Sequence, residues 1–196
     1  MKKITLIAIV VLSVLMLASA ANAQLGMKGI KVGLNMANFG GDVEDTDMKM
    51  GLVAGGFITY NLGVIELQPE VLFSMQGCKY DFGDETYSLK FNYLEIPVLV
   101  KYNFTMPGTI KPNVFAGPAF GFLLSAKDED VDIKDYYKSM DMGLAFGAGI
   151  TTNLQAYKLL FDVRYTMGLM NIYDEEEGED YSVKNAVISV NAGIGF

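Results

Sequence analysis

Six charged residues sit inside runs that are otherwise apolar and alternating: Glu66, Glu70, Glu95, Lys101, Asp162 and Arg164. Glu66 and Glu70 are four apart, an even spacing that places both on one face of an extended strand. Paired carboxylates on one face are equipment for acid–base work. Lys101 and Arg164 weigh against that reading, because they supply the counter-ions that buried carboxylates need. The chain contains no histidine, which excludes Ser-His-Asp and Cys-His catalysis and any His-based metal site. The expectation is therefore no catalytic residue, no metal and no cofactor. The single cysteine, Cys78, excludes an intramolecular disulfide and reads as a small strand residue.

These charges are positioned by strands. The last stretch, 185–196, sets Ile188, Val190, Ala192, Ile194 and Phe196 against Ser189, Asn191, Gly193 and Gly195. Successive side chains on a strand point to opposite faces, so one face is apolar and the other small or polar. The same alternation recurs upstream. Ile30, Val32, Leu34 and Met36 oppose Lys31, Gly33 and Asn35. Ile65, Leu67, Val71, Phe73 and Met75 oppose Glu66, Gln68, Glu70, Ser74 and Gln76. Eight strands are expected, at 28–38, 49–60, 64–80, 87–103, 110–125, 140–153, 158–173 and 185–196. The glycine-rich middle of the second leaves its facing ambiguous. Pro69 in the third predicts a local bulge.

The connections predict which end is which. Segments 39–47, 81–86, 127–138 and 174–184 read as long loops, and 61–63, 104–109 and 154–157 as short turns. In outer-membrane barrels long loops face the outside and short turns the periplasm. The loops carry eighteen of the 23 acidic residues. They read as solvated, self-repelling tips, with divalent bridging to lipopolysaccharide as the sharper alternative.

The N-terminus carries Lys2 and Lys3, an apolar stretch, and Ala21-Asn22-Ala23. This pattern predicts a signal peptide over 1–23 and a mature domain over 24–196. The composition is 51% hydrophobic, yet beyond that leader no apolar run reaches the ~20 residues a spanning helix needs. A barrel in lipid can carry such a composition on its outside. The fold expected is all-β, an eight-stranded antiparallel up-and-down transmembrane β-barrel. Its rival is a secreted lipocalin-like barrel with the apolar parity turned inward. Phe196, closing the last strand, reads as the membrane-insertion signal, which implies the barrel-insertion machinery as a partner. The formal charge of −8, or −10 without Lys2 and Lys3, excludes nucleic acid.

Three stretches carry a resemblance: Tyr93-Leu-Glu-Ile-Pro-Val-Leu-Val-Lys-Tyr102, then Ala116-Gly-Pro-Ala-Phe-Gly-Phe-Leu-Leu-Ser-Ala-Lys127, then Arg164-Tyr165-Thr-Met-Gly168-Leu169. Together they resemble the PorT-like family of outer-membrane β-barrel proteins, over essentially the whole mature chain. The resemblance implies an eight-stranded barrel in the outer membrane of a Gram-negative bacterium. The family's namesake takes part in a protein secretion system, and the resemblance supplies no catalytic residues.

An eight-stranded barrel has an interior just wide enough to be filled by side chains. Glu66, Glu70, Glu95, Lys101, Asp162 and Arg164 are thus expected to form a lumen network that plugs the barrel. The small residues Gly117, Ala119, Gly121, Gly143, Gly147, Gly149, Gly193 and Gly195 would leave them room. The function expected is non-enzymatic: envelope structure, or a subunit of an envelope or secretion assembly. The alternative is a porin-like channel for small solutes. Lipid and lipopolysaccharide are the expected surroundings, and envelope or secretion proteins the expected partners.

Overall fold

A computed structural model describes residues 24–43, 46–83, 85–174 and 182–196. The expected signal peptide, and Glu44, Asp45, Asp84, Glu175, Glu176, Glu177, Glu179 and Asp180 of the acidic loops, lie outside the described residues. Among those described, eight long strands make the fold. They are β1 (Gln24–Gly41), β2 (Thr46–Asn61), β3 (Ile65–Phe82), β4 (Glu85–Asn103), β5 (Ile110–Asp128), β6 (Met140–Leu154), β7 (Tyr157–Gly168) and β8 (Val183–Gly195). Each pairs antiparallel with its neighbour in sequence, and β1 pairs with β8 from Gly29↔Gly195 to Gly41↔Val183. The sheet closes on itself, so no edge is left unpaired.

Alternation decides what faces where. On β1 the odd positions from Met27 to Phe39 turn inward, while Ile30, Val32 and Leu34 are exposed outside. Val32 is 58% exposed and Lys31 beside it 1%. The facing of β2, ambiguous from sequence, is settled the same way: Lys49, Val53, Phe57 and Thr59 are buried, while Met50, Leu52 and Ile58 are exposed. Apolar residues outside and polar residues inside is the arrangement for hydrocarbon, and the reverse of a lipocalin. The belt ends in aromatics at the turn end, where Tyr102 and Phe104 meet edge to face and Tyr157 is exposed. Phe196 lies there too. Its backbone bonds reciprocally with Lys28, whose ammonium sits 5.6 Å from the ring centroid.

Three expectations need correction. Pro69 makes no bulge: the register between β3 and β4 is the same at Pro69↔Val98 and Leu72↔Glu95, and β2–β3 is likewise unshifted around it. Closure pins the strand from both sides, so the proline removes its N–H rung without shifting the chain. The register shifts lie instead at Leu25/Met27, Met48/Val53 and Asn92/Tyr93. Second, 81–86 is not a long loop. β3 and β4 pair out to Phe82↔Glu85, so the two-residue connection 83–84 is shorter than the turn 104–109, and connection length alone does not sort the two ends. Third, the seventh strand stops at Gly168 rather than continuing to 173.

Beyond Gly168 the chain folds into the barrel mouth. Ile172 is fully buried, its N–H donates to the Val183 carbonyl, and its carbonyl accepts from Lys138 N–H. The connection from β5 to β6 joins it there. Val131–Asp132 pairs back on Lys127 and Asp128, a 3-10 turn follows over Lys134–Tyr136, and Tyr137 bridges Tyr173. These segments pack on Phe39, Cys78, Phe91, Tyr93, Leu123 and Val183, giving the mouth an apolar cap. At the turn end Met27, Phe57 and Leu160 form a smaller apolar cluster.

Candidate functional site: the charged lumen

Period-two spacing brings the charges together. Glu66, Gln68 and Glu70 share the inner face of β3, and Asp162 and Arg164 that of β7. Lys31 enters from β1, Glu95 and Lys101 from β4. Lys31, Glu70, Lys101 and Arg164 are all buried.

Glu70 is the hub. Its Oε1 accepts from Lys31 Nζ at 2.8 Å and from Gln68 Nε2 at 2.5 Å. Arg164 Nη2 bridges both of its carboxylate oxygens, at 3.0 and 2.8 Å. Lys31 turns its other side to Asp162 Oδ2 at 2.9 Å, and Asp162 Oδ1 accepts from Asn191 Nδ2 at 2.8 Å. Lys101 Nζ donates to Gln68 Oε1 at 2.9 Å and stands 3.8 Å from Glu66. One connected network thus links β1, β3, β4, β7 and β8. Burying these ions costs solvation, and multiple charge-assisted hydrogen bonds offset that cost.

A second tier lies toward the loops. Gln76 Nε2 donates to Glu95 Oε1 at 2.6 Å and to Ser74 Oγ at 3.0 Å. Asn35 Nδ2 donates to the same Ser74 oxygen, and Ser189 Oγ donates to Asn35 Oδ1. Asn185 Nδ2, beneath the cap, donates to Asp141 Oδ2 at 2.8 Å and contacts the Tyr93 hydroxyl.

All six charged residues singled out in the sequence face inward. Five join the Glu70 network; Glu95 does not, and is held by Gln76 instead. Sequence reasoning missed Lys31, the cation with two carboxylate partners, although it stands on the inner parity of the first strand. It also missed Asp141, and gave Gln68, Gln76, Asn35 and Asn191 no role. The acid–base reading of Glu66 and Glu70 has little geometry behind it, since both Glu70 oxygens are occupied by cations. The glycines of the opposing wall are small first for the backbone of the next strand: an added Cβ would lie 2.0 Å from the Val98 carbonyl oxygen at Gly117 and 2.1 Å from that of Val163 at Gly147, where the Phe115 ring also comes within 2.7 Å.

Several described loop carboxylates serve local structure. Asp42 accepts from Ser182 N–H, Asp128 from the Tyr80 hydroxyl, and Glu129 from Ser88 N–H. Among the described residues no group of three or more Cys, Asp or Glu is placed to hold a metal ion.

Residues 22–174 match the family model described as "Outer membrane protein beta-barrel domain". Among solved structures the chain is similar to Neisserial surface protein A (NspA), at 13% identity and a TM-score of 0.56, covering 87% of this chain and 99% of that one. It is also similar to OprG from Pseudomonas aeruginosa, at 15% identity and a TM-score of 0.46, over 87% of this chain and 96% of that one. The attachment invasion locus protein Ail of Yersinia pestis matches at 15% identity and a TM-score of 0.43, over 88% of this chain and all of that one. No curated protein sequence matches significantly.

Proposed function

The chain belongs to the outer-membrane β-barrel domain family, and from that premise we propose that it is a non-enzymatic envelope protein whose lumen is a structural plug. It serves envelope structure or is a subunit of an envelope or secretion assembly. The observation that carries this reading is the Glu70 hub, in which one carboxylate is shared by Lys31, Arg164 and Gln68 in a fully buried lumen. A solute path would need these groups solvated and parted. The PorT-like resemblance of 93–102, 116–127 and 164–169 favours the assembly reading. In this proposal 1–23 is removed on export, the ends of 129–139 and 169–182 face outside, and Phe196 is read by the insertion machinery. The acidic loop tips then lie among lipopolysaccharide.

A porin-like channel is the second reading. It is favoured by buried polar atoms with no partner, Arg164 Nε and the Oδ1 atoms of Asn113 and Asn191, which mark places for water along the β5–β8 wall. A tagged pull-down from native outer membranes, with quantitative mass spectrometry, tests the first reading. A stoichiometric set of envelope or secretion proteins supports it. A barrel that purifies alone and takes up small solutes in proteoliposomes overturns it in favour of the channel.

A further inference from the structure

The outer face of the barrel is furrowed along its closing strand. On β8 the outward side chains are Ile188, Val190, Ala192 and Ile194, so Ala192 is a small residue in a row of branched ones. Closure sets it between two larger side chains, because its direct pairing partners are Phe161 on β7 and Val32 on β1. The notch opens both ways. A groove of about 370 Å³ runs from it toward the loops, between Leu34 and Val190. Another of about 220 Å³ runs toward the turns, between Leu159, Ile30 and Ile194. Both are lined by Val32, Phe161 and Ala192 and so form one furrow along β8. From Val190 to Ile194 it covers roughly 13 Å of strand, close to the ~15 Å that one leaflet contributes to the hydrocarbon core. On the other side of Phe161 a third groove, of about 340 Å³, lies over Ala148.

The foot of the furrow is basic. Lys28 stands two residues below Ile30 on the outer face of β1, exposed, with its ammonium 5.6 Å from the centroid of the Phe196 ring. Lys158, also exposed, precedes Leu159 on β7. It pairs with Gly195, and Gly195 pairs with Gly29, so the two lysines flank the end of β8 with their backbones roughly 10 Å apart. Among the described residues neither forms an ion pair. The turns 61–63, 104–109 and 154–157 contain no acidic residue, whereas the loop segments at the opposite end hold eighteen. Positive charge at the turn end is therefore left for a partner outside the chain.

The furrow lies in the outward apolar belt, so what meets it is hydrocarbon, and the charge at its foot selects the headgroup. Lysine stems are long and flexible, and a phosphate midway between Lys28 and Lys158 is within reach of both ammonium groups. We propose that the β7–β8–β1 face is a binding site for an anionic phospholipid, its phosphate held by Lys28 and Lys158 and one acyl chain lying in the furrow over Ala192. The groove over Ala148 takes the second chain. In the orientation proposed above, this lipid belongs to the periplasmic leaflet.

The chain has no tryptophan, so one introduced residue reports alone. Phe161→Trp places it on the furrow, and Val100→Trp on the opposite wall; each position lies within four residues of the turn end of its strand. Each variant is folded into phosphatidylcholine vesicles that hold a minor share of phosphatidylglycerol, and only the phosphatidylglycerol acyl chains carry bromine, a contact quencher. Heat-dependent gel migration checks the folded state. Quenching at 161 is expected to be severalfold stronger than at 100. Lys28→Gln with Lys158→Gln should bring the 161 signal down to the level at 100, and Ala192→Phe, which fills the notch, should do the same. Equal quenching at the two sites, or an excess at 161 that survives either set of changes, overturns the proposal. Weaker quenching at 161 than at 100 also overturns it, and marks the face as covered by a second copy of the chain. Both leaflets of the vesicle carry the labelled lipid, so the result does not depend on which end of the barrel faces the periplasm. Should Phe161→Trp fail to fold, Val32→Trp lines the same furrow from its other side and is read in the same way.

Discussion

Glu70→Gln is the perturbation that bears hardest on the lumen. The substitution keeps the shape of the side chain and removes its charge. Glu70 is held by Lys31 at 2.8 Å and by Arg164 at 2.8 and 3.0 Å; without its charge Lys31 would keep Asp162, while Arg164 would lose its carboxylate partner. Breaking a buried ion pair by neutralising one partner costs about 3–5 kcal/mol, because the other charge is left uncompensated. Against a total stability of about 5–15 kcal/mol for a typical domain, that is a large share. The assay is reversible urea unfolding in lipid vesicles, followed by the heat-dependent gel shift. Glu129→Gln is the internal control. Its ion pair with Lys90 is 3.4 Å long and exposed on both sides, so the expected cost is about 1 kcal/mol or less. Arg164→Met should match Glu70→Gln alone, while the double variant should cost less than the two singles added, as coupled neighbours do. A Glu70→Gln barrel as stable as the parent would refute the reasoning, and the Glu70 contacts would then be incidental to the fold.

Other consequences are quicker to check. Gly117→Val should abolish the folded gel band, because its Cβ meets the Val98 carbonyl oxygen at 2.0 Å, whereas Gly40→Ala, with nothing within 4 Å, should leave folding unchanged. Phe91→Ala removes the ring that meets Phe39 and Tyr137 edge to face, and should cost about 3–5 kcal/mol as a core cavity, measured in the same unfolding assay. Cys78 is fully buried in the cap, so maleimide should label it only in unfolded protein, read by mass spectrometry. Phe196→Ala keeps both backbone bonds to Lys28 and should leave folded stability nearly unchanged while slowing insertion by the cellular machinery, read as accumulation of unfolded protein after a pulse.

Much of the fold was legible in the sequence because a barrel in lipid writes both faces of every strand. Ile30 and Val32 against Lys31 and Asn35 is a local pattern, and it needs no knowledge of the partner strand. The facing of β2 was not legible. Gly51, Gly55 and Gly56 carry no side chain to mark a parity, and only pairing with β1 and β3 decides it. The same limit applies to the site. That Glu70 and Arg164 both face inward follows from parity, but their contact spans 94 residues of sequence and depends on the register of the closed ring. Lys31 was overlooked because its two carboxylates, Glu70 and Asp162, come from β3 and β7. The apolar cap was hidden for a different reason. Tyr137, Ile172 and Tyr173 lie in segments read as loop or strand end, and only closure of the barrel gives them a cavity to fill.

Single-channel recording of the purified, folded barrel in a planar lipid bilayer bears straight on the claim that its lumen is a plug. With the Glu70 network intact and the cap in place, the account predicts no current above that of the bare bilayer at neutral pH and low voltage. A stable open conductance from the unmodified protein would contradict it, and would make the charged lumen a solute path.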